Sequence, residues 1–169
     1  IKEYGADTLR LYEMFLGPLE ASKPWNPRDV PGMFRFLRDC WRMIVEDDES
    51  KSNAGSCRTN LLPSVSESLG GTDDKLEREL HKTIKGVTQD IERMAFNTAI
   101  SKLMVYKNKV MEDPVSLTRP QAEQFLRLLS PFAPHIAEEL WQRLRHPRSV
   151  TKEAWPKHDE AMTQDATRE

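Results

Sequence analysis

The sequence has few cysteines, no long apolar run and almost no excess of charge of either sign. Its two cysteines, Cys40 and Cys57, are too few for a disulfide framework, which favours a reduced, cytoplasmic compartment. No apolar run is long enough to cross a membrane and no signal-peptide pattern is present, so we expect no membrane partner. Because 25 Lys and Arg residues are balanced by 27 Asp and Glu residues, binding to nucleic acid would require local basic surfaces.

The sequence also lacks the motifs that carry common catalytic chemistry. It has no nucleophile elbow, no glycine loop of the kind that cradles phosphate, and no paired-histidine zinc signature. The histidines show no ligand spacing with each other or with the cysteines, and Cys40 falls on an apolar helix stripe. We therefore expect neither catalytic residues nor a metal or cofactor in this chain.

Helical periodicity dominates what is present, and no segment alternates as a strand would. Apolar residues recur at spacings of three and four at about 6–16, 28–46, 72–95 and 97–111, and again after residues 118 and 134. This pattern predicts six helices. Because the later helices have one apolar face each and short links, the predicted fold is all-α, an antiparallel helical bundle.

Capping residues and breakers set the expected bounds of these helices. Gly86 lies inside the third helix, where it costs stability but permits a close contact with a neighbouring helix. The fifth helix opens with a capping box in which Gln121 is the second member. The caps expected for the first, third, fourth and fifth helices are Asp7, Thr72 or Asp73, Asn97 and Thr118.

The chain is expected to divide into three parts. Residues 1–27 form a helix and a loop that link to something else, and residues 28–156 form the bundle. Within the bundle, residues 46–72 are rich in Ser, Asn, Gly and acidic residues, which predicts a long flexible loop that Leu61, Leu62 and Val65 pin in part to the core. Residues 157–169 are expected to be a frayed tail.

Basic residues recur at helical spacing on three of the predicted helices. Like charges at this spacing cost roughly 0.2–0.5 kcal/mol per pair, and phosphate binding would explain why the cost is tolerated. An aromatic residue in the third stripe, or Trp25, could stack on an unpaired base. The three candidate stripes are Arg35, Arg38 and Arg42; Lys75, Arg78, Lys82 and Lys85; and Lys102, Tyr106 and Lys109.

A simpler interpretation of these stripes stays open. An exposed charged helix face is usually only solvated, and local ion pairs can absorb its charge. Asp39 and Glu46 lie four residues beyond Arg35 and Arg42, where such pairs would form.

Four segments, in order along the chain, resemble leucyl-tRNA synthetase of the bacterial or organellar type, a class I aminoacyl-tRNA synthetase. They are YGADTLRLYEMFLGPLEASKPW at 4–25, GMFRFLRDCW at 32–41, HKTIKGVTQDIERMAFNTAI at 81–100 and LLSPFAPHIAEELW at 128–141, followed by Ala154-Trp155-Pro156. The last segment is shared with the valyl and isoleucyl enzymes. The first and third point to the leucyl member.

The resemblance implies the helical anticodon-binding domain of that class. Neither the HIGH motif nor the KMSKS loop of the catalytic domain occurs here. Together with the abrupt first residue, Ile1, this predicts a piece of a longer chain that starts just after KMSKS and ends before the small C-terminal domain, with the editing domain also absent. Such a piece would neither activate leucine nor edit.

The resemblance also implies partners and roles. The parent enzyme would be a monomer that joins leucine to tRNA(Leu) with ATP and magnesium. This piece would hold the tRNA by its backbone and stems, against the catalytic domain of the same polypeptide. Arg35, Arg38 and Arg42 lie in a matched segment and are the main candidates, although Asp39 stands where the family often has another basic residue. Lys75, Lys82, Lys85 and Lys102 are secondary candidates.

Two rival functions remain open from the sequence. One is an RNA-binding helical module unconnected to a synthetase. The other is a protein-interaction or scaffold domain that does not bind RNA and presents Met14, Trp25, Phe34 and Phe36 to a partner. In the parent enzyme part of this surface would cover the catalytic domain, so the isolated chain is expected to expose an apolar patch and self-associate.

Overall fold

The structure is a computed structural model that describes residues 2–18, 20, 22, 24–45, 61–62, 65, 74–113 and 117–164. Within these ranges the only extended pairing is an isolated bridge between Val45 and Leu61, so the all-α prediction is confirmed. No helix of the described part is both long and apolar enough to span a membrane. The helices are α1 (Gly5–Phe15), α2 (Val30–Arg42), α3 (Asp74–Glu92), α4 (Phe96–Glu112), α5 (Arg119–Leu129), α6 (Pro134–Arg143) and α7 (Glu160–Thr163), with a 3-10 turn at Val150–Lys152.

Helix α4 lies at the centre of the bundle and packs against α1, α2 and α3. Its inward side chains Ile100, Leu103 and Tyr106 have no exposed surface. Helix α3 also packs against α5 and α7, and α6 packs against α1, α2 and α5. Each amphipathic helix thus buries its apolar stripe in one continuous core, which is what stabilises helices of this length in water.

The structure corrects the expected caps at two helix starts. Asp7 lies inside α1, whose N-cap is Tyr4, and its carboxylate is turned towards another helix. Helix α4 begins at Phe96 with Ala95 as its N-cap, so Asn97 is not the cap. A tight turn causes this, since Met94 has φ of 57° and the Ala95 N–H donates to the carbonyl of Asp90 at 2.8 Å.

The fifth helix begins as the sequence predicts. Thr118 and Gln121 form the capping box of α5, in which the Thr118 N–H donates to Gln121 Oε1 at 3.0 Å. The caps expected for the third helix, Thr72 and Asp73, lie outside the described residues.

The second helix is shorter than predicted, and only one of its two phenylalanines lies on the surface. It ends at Arg42, after which Met43, Ile44 and Val45 are buried in a turn. Phe34, predicted as part of a partner surface, is 43% exposed and meets Tyr4 edge-on, whereas Phe36 is 3% exposed. Phe36 is therefore a core residue, and its assignment to a partner surface is wrong.

Most of the predicted loop at 46–72 lies outside the described residues, but its expected anchor is present. The Leu62 N–H donates to the carbonyl of Ile44 at 2.9 Å, and Val65 is fully buried. Leu61 and Leu62 are partly buried against the core. These contacts confirm that Leu61, Leu62 and Val65 pin part of the chain between α2 and α3 to the bundle.

The tail from residue 157 to residue 164 is not frayed. Helix α7 packs against α3, where the Asp159 N–H donates to His81 Nδ1 at 3.1 Å and Lys85 forms an ion pair with Glu160 at 2.7 Å. The sequence missed this because a one-turn helix has no periodicity to detect, and its contacts come from a helix about 75 residues earlier. Residues 165–169 lie outside the described part.

Candidate nucleic-acid interface

Two arginines on α2 project from the bundle. Arg35 and Arg38 are exposed, and no ion pair joins either to another residue of the described ranges. Their spacing of three places both guanidinium groups on one side of the helix. Asp39, expected to neutralise Arg35, instead forms an ion pair with Lys107 of α4 at 3.0 Å. The charge of Arg35 and Arg38 is thus available to an anionic partner.

The third arginine of this stripe is placed differently. Arg42 is half-buried and has an interaction partner. Next to it, the ring of Trp41 lies 4.7 Å beneath the guanidinium carbon of Arg143 from α6. The end of α2 is therefore built into the bundle, and the exposed part of the stripe is its first half.

On α3, two of the four candidate cations pair with acidic residues. Arg78 pairs with Asp74 at 3.2 Å and Lys85 pairs with Glu160 at 2.7 Å, while Lys75 and Lys82 also have partners. Exposed pairs of this kind are worth about 1 kcal/mol or less, so a phosphate could still compete for the cations. The assignment of these residues to tRNA binding stays a prediction, now with a competing partner for each.

The predicted stripe on α4 is only partly exposed, and its two lysines are paired with α3. Lys102 bonds to Asp90 and Lys109 pairs with Glu79 at 2.6 Å, both on α3. Tyr106 has no exposed surface and stacks on Phe125 at 5.6 Å between ring centroids. The prediction that Tyr106 stacks on a base is therefore wrong, because the central helix of the bundle has neighbours on the sides that the sequence assigned to solvent.

Burial also changes the chemistry of Tyr106. Its hydroxyl has no hydrogen-bond partner among the described residues. Burial, and then the nearby carboxylates of Glu77 and Glu79, raise the pKa of its phenol. The side chain therefore stays neutral, and its role is to fill the core.

Gly86 permits the close contact that the sequence predicted. A Cβ atom added there would lie 2.6 Å from Cδ and 2.7 Å from Cε of Lys102. The aliphatic part of Lys102 thus crosses α3 where no side chain stands, and its ammonium reaches Asp90. Helices α3 and α4 are joined at this point by one long side chain.

One exposed arginine near the α2 pair was missed from the sequence. Arg28 precedes α2 and lines a pocket of about 400 Å³ together with Arg35. The loop before it is fixed because Tyr12 Oη accepts from the Asn26 N–H at 2.8 Å, and Asn26 Oδ1 accepts from the Arg28 N–H at 3.2 Å. A search for basic residues at helical spacing does not find Arg28, because Arg28 lies before the first residue of α2.

Trp25, 55% exposed, packs edge-on against Tyr12 and remains a candidate for stacking on a base.

The described residues contain no group of three or more His, Cys, Asp or Glu side chains that could hold a metal ion. Burial raises the pKa of the Cys40 thiol, which has no exposed surface. Cys40 is thus a core residue, as its place on the apolar stripe predicts.

The fold and the arginine pair define a helical binding module whose exposed cations suit an extended polyanion. Residues 73–169 match the family model of the anticodon-binding domain of tRNA ligase. Because this match covers more than half of the 169 residues, the chain belongs to that family.

Relatives and solved structures agree with this assignment. The chain is 41% identical over 168 residues to a leucine–tRNA ligase of Chlorobium phaeobacteroides, covering 98% of the chain and 19% of that protein. It is 46% identical over 165 residues to a leucine–tRNA ligase of Rhodopirellula baltica, covering 95% of the chain and 16% of that protein. The chain therefore spans less than a fifth of the length of these relatives.

A crystal structure of the ternary complex of Agrobacterium radiobacter K84 agnB2 LeuRS, tRNA and LeuAMS is similar in fold. The TM-score is 0.73 at 29% identity, and the match covers 96% of this chain and 21% of that one. The similarity extends beyond the region of the family match to the first helices of the chain.

Proposed function

We infer that this chain is the helical tRNA-binding part of a leucine–tRNA ligase, and that it holds tRNA(Leu) for leucylation carried out elsewhere in the protein. The observation that carries the proposal is the exposed pair Arg35 and Arg38 on α2, whose charge no acid in the described ranges neutralises. Guanidinium groups can each bind a phosphate through two parallel hydrogen bonds. The likeness to leucine–tRNA ligases and to a solved LeuRS–tRNA complex supports the choice of tRNA as the polyanion.

The arrangement suits contacts to backbone and stems. With Tyr106 buried, the described residues of the three stripes offer charge and no aromatic platform, and contacts to phosphate fix position without reading sequence. The contribution to the reaction is therefore orientation of a bound tRNA, which raises the effective concentration of its acceptor end.

The rest of the reaction belongs to the parent protein in this proposal. A catalytic domain of the same polypeptide would activate leucine with ATP and magnesium, and the parent would act as a cytoplasmic monomer. This chain alone would bind tRNA weakly and neither activate leucine nor edit.

The test is binding of tRNA(Leu) to the 169-residue chain over a series of salt concentrations. We expect Arg35→Ala with Arg38→Ala to weaken binding and to reduce the salt slope by about 1 for each phosphate that is no longer neutralised. The matched control is Lys152→Ala with Lys157→Ala, which removes the same charge from two other exposed residues. The control is expected to retain most of the affinity.

Three results would contradict the proposal. Binding that does not respond to salt would exclude phosphate contacts as its source. Equal losses of affinity in the arginine and lysine variants would show that only net charge matters. If the chain binds tRNA no better than it binds unrelated proteins, the scaffold function, with Trp25 and Phe34 on its surface, becomes the better explanation.

A further inference from the structure

Helix α1 is joined to the corner between α5 and α6 by two opposite charges. Asp7 Oδ2 accepts from the Ile136 N–H at 2.8 Å, and Asp7 Oδ1 accepts from the His135 N–H at 3.3 Å. Oδ1 also lies 2.7 Å from Nδ1 of His135. Three residues further along α1, Arg10 donates from Nη2 to the carbonyl of Pro131 at 2.9 Å.

The two charges match the electrostatics of the helix ends that they meet. Pro134 opens α6 and has no N–H, so Asp7 takes the next two N–H groups, at the positive end of the helix. Arg10 binds carbonyls just beyond the end of α5, including that of Phe132 at 3.4 Å from Nε. A spacing of three places Asp7 and Arg10 on one side of α1. Asp7 therefore meets the start of α6 while Arg10 meets the chain just after α5.

The contact between α1 and residues 131–136 fixes the rotation of α1 about its axis as well as its distance from the corner. Asp7 is 7% exposed, and its helix neighbours Leu11 and Tyr12 are buried in the core. A rotation of α1 about its own axis would separate Asp7 or Arg10 from the helix end that it contacts. The apolar contacts of Leu11 and Tyr12 would adapt to the same rotation more easily, because they have no fixed direction. The α1–corner clasp, defined as Asp7 and Arg10 with residues 131–136, thus adds angular precision that apolar packing alone does not supply.

We propose that Asp7 and Arg10 are positioning residues that set the angle between the bundle and the part of the ligase that carries out leucylation. The proposal rests on the proposed function, because α1 is then the element through which the tRNA-holding bundle joins the catalytic domain. A tRNA held on α2 reaches the reacting centre only if that angle is right, and small displacements cost large factors in rate. Neither residue touches tRNA or substrate in this account.

The test uses the full-length ligase that contains this chain and measures three quantities. These are leucine-dependent pyrophosphate exchange into ATP, the Kd for tRNA(Leu), and kcat for leucylation of tRNA(Leu). We expect Asp7→Asn to lower kcat for leucylation about tenfold while exchange and Kd stay unchanged. Arg10→Gln, at an exposed residue, is the milder second variant and is expected to act in the same direction.

The matched control is Asp90→Asn. Asp90 is 8% exposed, close to Asp7 in burial, and it bonds to Lys102 and not to a residue of the α1–corner clasp. It is expected to lower thermal stability and to leave the ratio of leucylation to exchange at the native value. If Asp7→Asn leucylates at the native rate, or lowers exchange, affinity and leucylation together, the positioning role is refuted. Failure of the proposed function would show separately, as an unchanged Kd in the variant lacking Arg35 and Arg38.

Discussion

At the scale of single residues, a charged side chain that the sequence predicts to be exposed to solvent can form an ion pair with a neighbouring helix. Lys102 is the clearest case, because it crosses Gly86 to bond to Asp90. Its spacing with Lys109 is that of a solvated stripe, yet both lysines bind acids of α3. Position on a helical wheel says which residues share a side and does not say what lies opposite.

The close approach at Gly86 predicts that two substitutions are coupled. Gly86→Ala should gain up to about 1 kcal/mol of helix stability, but in the native chain the new Cβ displaces Lys102 from Asp90 and offsets that gain. In a Lys102→Ala background the gain should return in full. A double-mutant cycle on the free energy of unfolding measures the difference.

The effect of Gly86→Ala must therefore depend on the residue at position 102. If it changes the free energy of unfolding equally in both backgrounds, Lys102 does not occupy the space over Gly86. A third background, Lys109→Ala, serves as control, since Lys109 pairs with Glu79 and does not approach Gly86. There the effect should equal that in the native chain.

At the scale of elements, α7 shows how a short helix depends on charge. Hydrogen bonds from Lys85, then His158 and Thr163, lower the pKa of Glu160 from 4.5 to about 2. A carboxyl whose pKa is lowered in the folded state stabilises that state above its unfolded pKa. The contribution of Glu160 is therefore fully present above about pH 4.5 and is lost as the pH falls towards about 2.

We accordingly expect α7 to separate from α3 in acid while the core helices persist. Backbone NMR chemical shifts of residues 160–163, followed from pH 6 to pH 2, would report the separation. Glu160→Gln should weaken the contact at every pH and remove this titration. Glu153→Gln, at an exposed residue outside α7, is the control, and a native-like pH response in Glu160→Gln would exclude Glu160 as the cause.

At the scale of the whole molecule, one core unites helices α1 to α6, and a largely buried ion pair links α2 to the central helix α4. Lys107 and Asp39 are 3.0 Å apart, with side chains 11% and 21% exposed. Removing one partner of such a pair leaves the other charge poorly solvated. The pair also keeps Asp39 away from Arg35, so the same contact that holds α2 in place leaves the arginine pair free for an anion.

Lys107→Met should therefore lower the free energy of unfolding by about 2 kcal/mol. Because the core is continuous, urea unfolding should keep its slope and shift only its midpoint. Lys109→Met is the control, since its pair with Glu79 is more exposed and is worth about 1 kcal/mol or less. Equal decreases in the two variants would show that burial does not set the value of the pair.

The sequence by itself determined the class of fold, the apolar stripes and the capping box at Thr118 and Gln121, because these depend on periodicity and on contacts within a few residues. It also placed Arg35 and Arg38 on one exposed side of α2, where no ion pair within the described ranges neutralises them. Tertiary structure decided everything that required a partner distant in the chain. It turned Asp7 from the expected cap of its own helix into an acceptor for N–H groups of α6, buried Tyr106, gave Lys102 an acid on α3, and packed α7 against α3 through His81 and Lys85. The physical reason is that charge and hydrogen bonding act across space, and only packing decides which residues meet.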